Sequence, residues 1–120
     1  MPRILVVEDE FLIRLTLTEV LSDEGFEVME AADGEQAVAL LGSSGSFDLV
    51  MTDVNLPGKV SGWAVADAAR AHRADLPVVF VTGGAQPPAG RRPSPHETFV
   101  QKPYTPSDIT AIARRMVGQA

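Results

Sequence analysis

Five short apolar runs rich in β-branched residues punctuate the chain, at residues 3–7, 27–31, 48–52, 78–82 and 98–101. Helical patterns lie between most of them. This alternation constrains the fold more than any other feature, because a strand, a crossover helix and a parallel strand form a right-handed unit. The first, third and fourth runs are nearly continuous in apolar character, as strands buried on both faces of a parallel sheet must be. The second and fifth are more mixed and read as edges. The expected fold is a doubly wound α/β sheet of five parallel strands. At 120 residues the chain fits one domain with a real core.

The helices have legible starts and stops. Ile13, Leu17, Val20 and Leu21 recur on one face, and Gly25 supplies a stop. Asp33 with Gln36 reads as a capping box ahead of Ala37, Leu40 and Leu41. Ser61 opens a third helix through Trp63, Val65, Ala68 and Ala69. In the last helix Thr105 caps, Pro106 takes the first position, and Ile109, Ile112, Ala113 and Met116 form the core face.

Doubly wound sheets carry their sites at the carboxyl ends of the strands. There the first run meets Glu8–Asp9–Glu10, the third Asp53, the fourth Thr82, and the fifth Lys102–Pro103. Each has a plain structural use: Asp9 as a helix cap, Asp53 and Thr82 as turn residues, Lys102 as a solvated charge. Together they are the groups that phosphoryl transfer to a carboxylate requires. Clustered carboxylates repel, and a hard cation such as Mg²⁺ (or Mn²⁺) relieves the repulsion through oxygen ligands. Glu8, Asp9 and Asp53 supply such oxygens, with the backbone carbonyl of Asn55 as a further candidate. Asp53 is the candidate nucleophile. Lys102 offers a mobile positive charge and Thr82 a hydroxyl for phosphoryl oxygens.

Composition excludes several alternatives. A net charge of −6 lacks the basic face that direct nucleic-acid binding needs. The arginine pairs Arg91–Arg92 and Arg114–Arg115 read as solvated surface. No apolar run is long enough to span a bilayer or serve as a signal-peptide core, and cysteine is absent. Those features fit a cytoplasmic chain without disulfides. His72 and His96 read as surface residues, not as relay histidines.

The motifs VVEDE, DLVMTDVNLPG, VVFVTGG and FVQKPY, in this order and spacing, resemble the response-regulator (CheY-like) receiver family of two-component systems over essentially the whole chain. The resemblance implies a flavodoxin-like sheet of order 2-1-3-4-5 and a single receiver domain over residues 1–120, without an output domain. Glu8 and Asp9 match the acidic metal pair, Asp53 the phosphoacceptor, Thr82 the switch hydroxyl, and Lys102 the family's lysine. Phe99 falls where the family has a rotating switch aromatic, and the Lys102–Pro103 bond is expected to be cis. The implied partners are a sensor histidine kinase or phosphotransfer protein and a downstream protein target. The implied oligomeric state is a monomer or weak homodimer. Such a receiver is a signalling module that assists its own phosphorylation and dephosphorylation, not an enzyme acting on a separate substrate.

Two features depart from the common pattern. The acidic pair is Glu–Asp, not Asp–Asp. Between the fourth and fifth runs the family carries a helix, but residues 83–97 contain four prolines and three glycines. Proline inside a helix costs about 3 kcal/mol, and no apolar stripe compensates. An irregular, mobile loop is expected instead. PVVFVTGG partly resembles the PFxFATGxY subgroup of receivers, through Pro77, Phe80, Thr82 and Gly83. In that reading phosphorylation orders the loop through Thr82 and Gly83–Gly84, and the interaction face comprises the fourth strand, the loop, the fifth strand and the last helix.

Three other functions compete. A pseudo-receiver would bind proteins without accepting phosphate. A flavin-binding redox protein would need a phosphate-cradling loop where Glu8–Asp9–Glu10 would repel one. A metal-dependent phosphohydrolase would need a cap or pocket for which the chain has no spare residues.

Overall fold

The computed structural model describes residues 1–43, 45–84, 86–91 and 94–118. Five parallel strands, β1 (Arg3–Val7), β2 (Glu27–Ala31), β3 (Leu49–Asp53), β4 (Val78–Thr82) and β5 (Glu97–Gln101), form one sheet in the order β2-β1-β3-β4-β5. Four helices flank it among the described residues: α1 (Phe11–Asp23), α2 (Gly34–Ser43), α3 (Gly62–His72) and α4 (Pro106–Val117).

Alternation along the central strands divides the core into two layers. Leu5, Val7, Val50, Val78 and Phe80 pack toward α2 and α3 with Trp63, Val65 and Ala69. Ile4, Val6, Leu49, Met51, Val79 and Val81 pack toward α1 and α4 with Leu17, Leu21, Ile109, Ala113 and Met116. Every residue of β3 and β4 is buried, which is why their sequences read as unbroken apolar runs. The edge strands β2 and β5 are only partly covered.

Two strands differ in their limits from the sequence reading. Asp53 is the last residue of β3 and pairs with Val81 of β4, so the acceptor candidate sits on the ladder. Asp48 precedes the strand, where its carboxylate accepts the Arg3 backbone N–H at 2.7 Å. β5 begins one residue early, at Glu97, which pairs with Val78.

Caps follow the expected chemistry with one shift. Thr105 and Asp108 form a reciprocal capping box, and the Ser61 hydroxyl accepts the Ala64 N–H at 3.3 Å. At α2 the Gln36 N–H donates to Asp33, but the Gln36 side chain accepts the N–H of Ala32, not that of Asp33. No described residue between β4 and β5 is helical, as the prolines predict; Ala85, Arg92 and Pro93 lie outside the described residues. Within this connection the Arg91 side chain is bound to Glu97.

Candidate functional site

The sheet order brings the ends of β1, β3, β4 and β5 to one crevice. Glu8 follows β1 directly and is buried, its backbone N–H bound to Ala31 at 3.1 Å. Asp9 is exposed beside it. α1 is N-capped by Glu10, with no side-chain hydrogen bond at that cap, so the helix-cap reading of Asp9 does not hold. Carboxylate oxygens of Glu8, Asp9 and Asp53 all lie within 4.8 Å of one another.

Asp53 is nearly buried, and its two oxygens are divided. Oδ2 accepts from Lys102 Nζ at 3.2 Å, and Oδ1 accepts the Asn55 N–H at 3.2 Å. The turn reading of Asp53 is therefore correct, and it coexists with a place in the cluster. Lys102 reaches Asp53 because its backbone N–H bonds the Thr82 carbonyl at 2.8 Å, continuing the pairing of β4 with β5. The Lys102–Pro103 peptide bond is cis. Thr82 is buried at the end of β4, and its hydroxyl oxygen accepts the Gly84 N–H at 3.2 Å.

Charge crowding shows in the titration of these groups. Burial, then the hydrogen bond and negative charge of Asp53, push the Glu8 carboxyl up to about 7, with Lys102 partly opposing. Burial would lower the Lys102 ammonium, but the Asp53 and Glu8 charges outweigh it and raise it. One lysine thus faces a three-carboxylate cluster. A divalent cation fits this donor set, since every potential ligand is an oxygen and the local charge is negative.

Phe99 lies on β5, 47 % exposed, with its ring 5.2 Å from that of Phe80 and 6.0 Å from that of Trp63. Asn55 is exposed just beyond Asp53. His72 is exposed and His96 half-buried.

Four residues of the surroundings were not legible as such. Arg14 donates to the Glu8 carbonyl at 2.8 Å and to Glu30 at 3.2 Å, tying the turn after β1 to β2. Gly62 must lack a side chain, because a Cβ there would strike the Asp53 carbonyl oxygen. Tyr104 is half-buried near the pocket; burial and then the Glu8 charge raise its hydroxyl pKa. Arg91 corrects the reading of solvated arginine pairs: its side chain is 10 % exposed and bound to Glu97. Arg92 lies outside the described residues, whereas Arg114 is exposed and pairs with Glu24.

Comparison with known proteins agrees with this arrangement. Residues 4–114 match the family model described as "Response regulator receiver domain". The aerobic respiration control protein ArcA of Escherichia coli is 33 % identical over 127 residues, covering 98 % of this chain and 49 % of that protein. The chain thus spans about half the length of such curated relatives. A response regulator receiver protein from Sinorhizobium medicae superposes with TM-score 0.87 at 28 % identity, over 98 % of this chain and 94 % of that one. The response regulator TrrA of Thermotoga maritima, solved in complex with Mg²⁺–BeF, gives TM-score 0.78 at 32 % identity, over 97 % and 99 %. With its flavodoxin-like sheet, acidic crevice and family match together, the chain belongs to the response regulator receiver family of two-component systems.

Proposed function

We propose that this receiver accepts a phosphoryl group on Asp53 from the phosphohistidine of a sensor kinase or phosphotransfer protein. The observation that carries the reading is the meeting of Asp53 with Glu8, Asp9 and Lys102 in one crevice. An Asp53 oxygen attacks phosphorus in line; the P–N bond to the donor imidazole breaks as the O–P bond forms. Lys102, already 3.2 Å from Asp53, follows the charge onto the phosphoryl oxygens. The Thr82 hydroxyl donates to one of those oxygens and carries the change into β4. Glu8 and Asp9, with Asp53 and the Asn55 carbonyl, hold Mg²⁺ or Mn²⁺, which supplies positive charge to the transferring oxygens when bound. Phe99 is the aromatic whose surroundings respond, and the modified face of β4, β5 and α4 engages a protein target. The charge of −6 favours a protein partner over direct contact with nucleic acid. No helix of the described residues is long and apolar enough to cross a membrane.

Intact-mass measurement after incubation with acetyl phosphate and Mg²⁺ tests the reading. A single phosphoryl adduct is expected, absent with chelator and in Asp53→Asn. Wild-type protein that binds Mg²⁺ but never gains the adduct is instead a binding module, and the proposal fails.

A further inference from the structure

Glu8 and Asp9 hang from the short turn between β1 and α1, and the Glu10 cap of that helix makes no side-chain hydrogen bond. Arg14 holds the turn from inside the helix instead. Its backbone N–H donates to the Glu10 carbonyl at 2.9 Å, and its Nη1 donates to the Glu8 carbonyl at 2.8 Å. The carbonyls of the two residues flanking Asp9 are thus both bound by Arg14. The guanidinium is itself fixed, because Nε donates to Glu30 of β2 at 3.2 Å and the Phe11 ring centre lies 5.6 Å away. With its side chain only 15 % exposed, Arg14 is better ordered than a solvated surface arginine, whose ion pairs contribute little. The mechanism above makes no use of Arg14 or Glu30.

Two physical arguments give this clamp a role in the chemistry of the crevice. The first concerns the Glu–Asp pair. Glu8 has one more rotatable bond between backbone and carboxylate than an aspartate would have. The Glu10 N–H donates to its Oε1 only at 3.4 Å, a long bond that orients it weakly. Mg²⁺ demands near-octahedral oxygens at about 2.0–2.1 Å, whereas Ca²⁺ accepts irregular sets at about 2.3–2.6 Å. A longer arm can favour Mg²⁺ only from a backbone that does not move. The second concerns charge. A guanidinium near the carboxylate cluster repels a divalent cation, so an Arg14 acting through charge alone would weaken cation binding. Positioning and charge therefore predict opposite signs when Arg14 is removed.

We propose that Arg14 is the positioning residue of the Glu8–Asp9 pair, with Glu30 orienting its guanidinium, and that this clamp sets the preference of the site for Mg²⁺ over Ca²⁺. The inference rests on the metal reading given above.

Calorimetric titration of the metal-free protein with Mg²⁺, and separately with Ca²⁺, is the test. Arg14→Ala is expected to lower Mg²⁺ affinity about tenfold, the scale for losing a group that orients a metal ligand. Ca²⁺ affinity is expected to fall about threefold or less, because its coordination shell adapts. Glu30→Ala is expected to weaken Mg²⁺ binding less, and to add nothing in the Arg14→Ala background. Arg14→Lys keeps the charge without the fork; its Mg²⁺ affinity is expected to lie between, and it serves if the alanine variant does not fold. Unchanged or tighter Mg²⁺ binding in Arg14→Ala overturns the proposal. Equal losses for the two ions also overturn it, since a residue that merely supports the fold weakens both alike. Wild-type protein that does not bind Mg²⁺ overturns the metal reading itself, and the clamp with it.

Discussion

At Asp53 one carboxylate serves Lys102 through Oδ2 and the Asn55 amide through Oδ1, while the carboxylates of Glu8 and Asp9 stand close by. The Glu8 carboxyl in this group is pushed up to about 7 by burial first and then by Asp53. An acid raised in the folded state binds its proton more tightly there than in the unfolded chain. Metal-free stability from this group is therefore full below about 4.5 and is lost as pH rises through about 7. Cation binding requires the ionised form, so Mg²⁺ affinity should climb about tenfold per pH unit below that value and level off above it. Calorimetric titration across this range checks it, and Glu8→Gln should weaken binding and flatten the profile. Gly62 answers to sterics instead. Gly62→Ala should destabilise by about 1–3 kcal/mol in urea unfolding, because the new Cβ meets the backbone of Asp53. Asp9, Asp53 and Lys102 were legible because each follows an apolar run, where a doubly wound sheet collects its chemistry. Arg14, Gly62 and Tyr104 were not, because their roles depend on partners distant in sequence or on backbone approach. No local pattern encodes either.

Among the elements, the connection from β4 to β5 was half legible. Its prolines and glycines correctly excluded a helix, since that argument needs only local backbone chemistry. The burial of Arg91 escaped notice because it depends on Trp63 and Phe80, which lie on α3 and β4. Glu97 and Arg91 are not equivalent partners, because Glu97 also holds Arg70. Glu97→Ala leaves Arg70 and Arg91 without their shared carboxylate and should cost about 3 kcal/mol, the scale for stripping a buried ion of its partner. Arg91→Ala leaves Arg70 on Glu97 and should cost clearly less; chemical denaturation of the two variants side by side checks the order. The Glu97 carboxyl is pushed up by burial, but the Arg91 hydrogen bond and the Arg70 charge overcome this and lower it. Its contribution is thus present at neutral pH and fades only as pH falls below the usual glutamate range. At the other end of the molecule, Thr105→Ala removes the capping box of α4 and should cost about 1 kcal/mol.

For the whole molecule, the order β2-β1-β3-β4-β5 converts four separate strand ends into one crevice. The strand pattern predicted which runs are central and which are edges, because burial on both faces leaves its mark on every residue of a strand. It left β3 and β5 one residue out of place, since a strand end is set by its ladder partner, not by its own composition. The crevice and the Trp63–Phe80–Phe99 ring cluster share β4, with Thr82 at its end and Phe80 two residues before. A change at the crevice therefore has a short, packed route to the α3–β5 face. The central claim is that Asp53 carries an acyl phosphate formed in the presence of a divalent cation. Borohydride reduces an acyl phosphate on aspartate to homoserine, which peptide mapping locates by mass. After acetyl phosphate and Mg²⁺, homoserine is expected at position 53 and nowhere else, and it should vanish when Mg²⁺ is withheld. Phosphorylated protein with no homoserine at position 53, or with homoserine at another acidic residue, would contradict the claim.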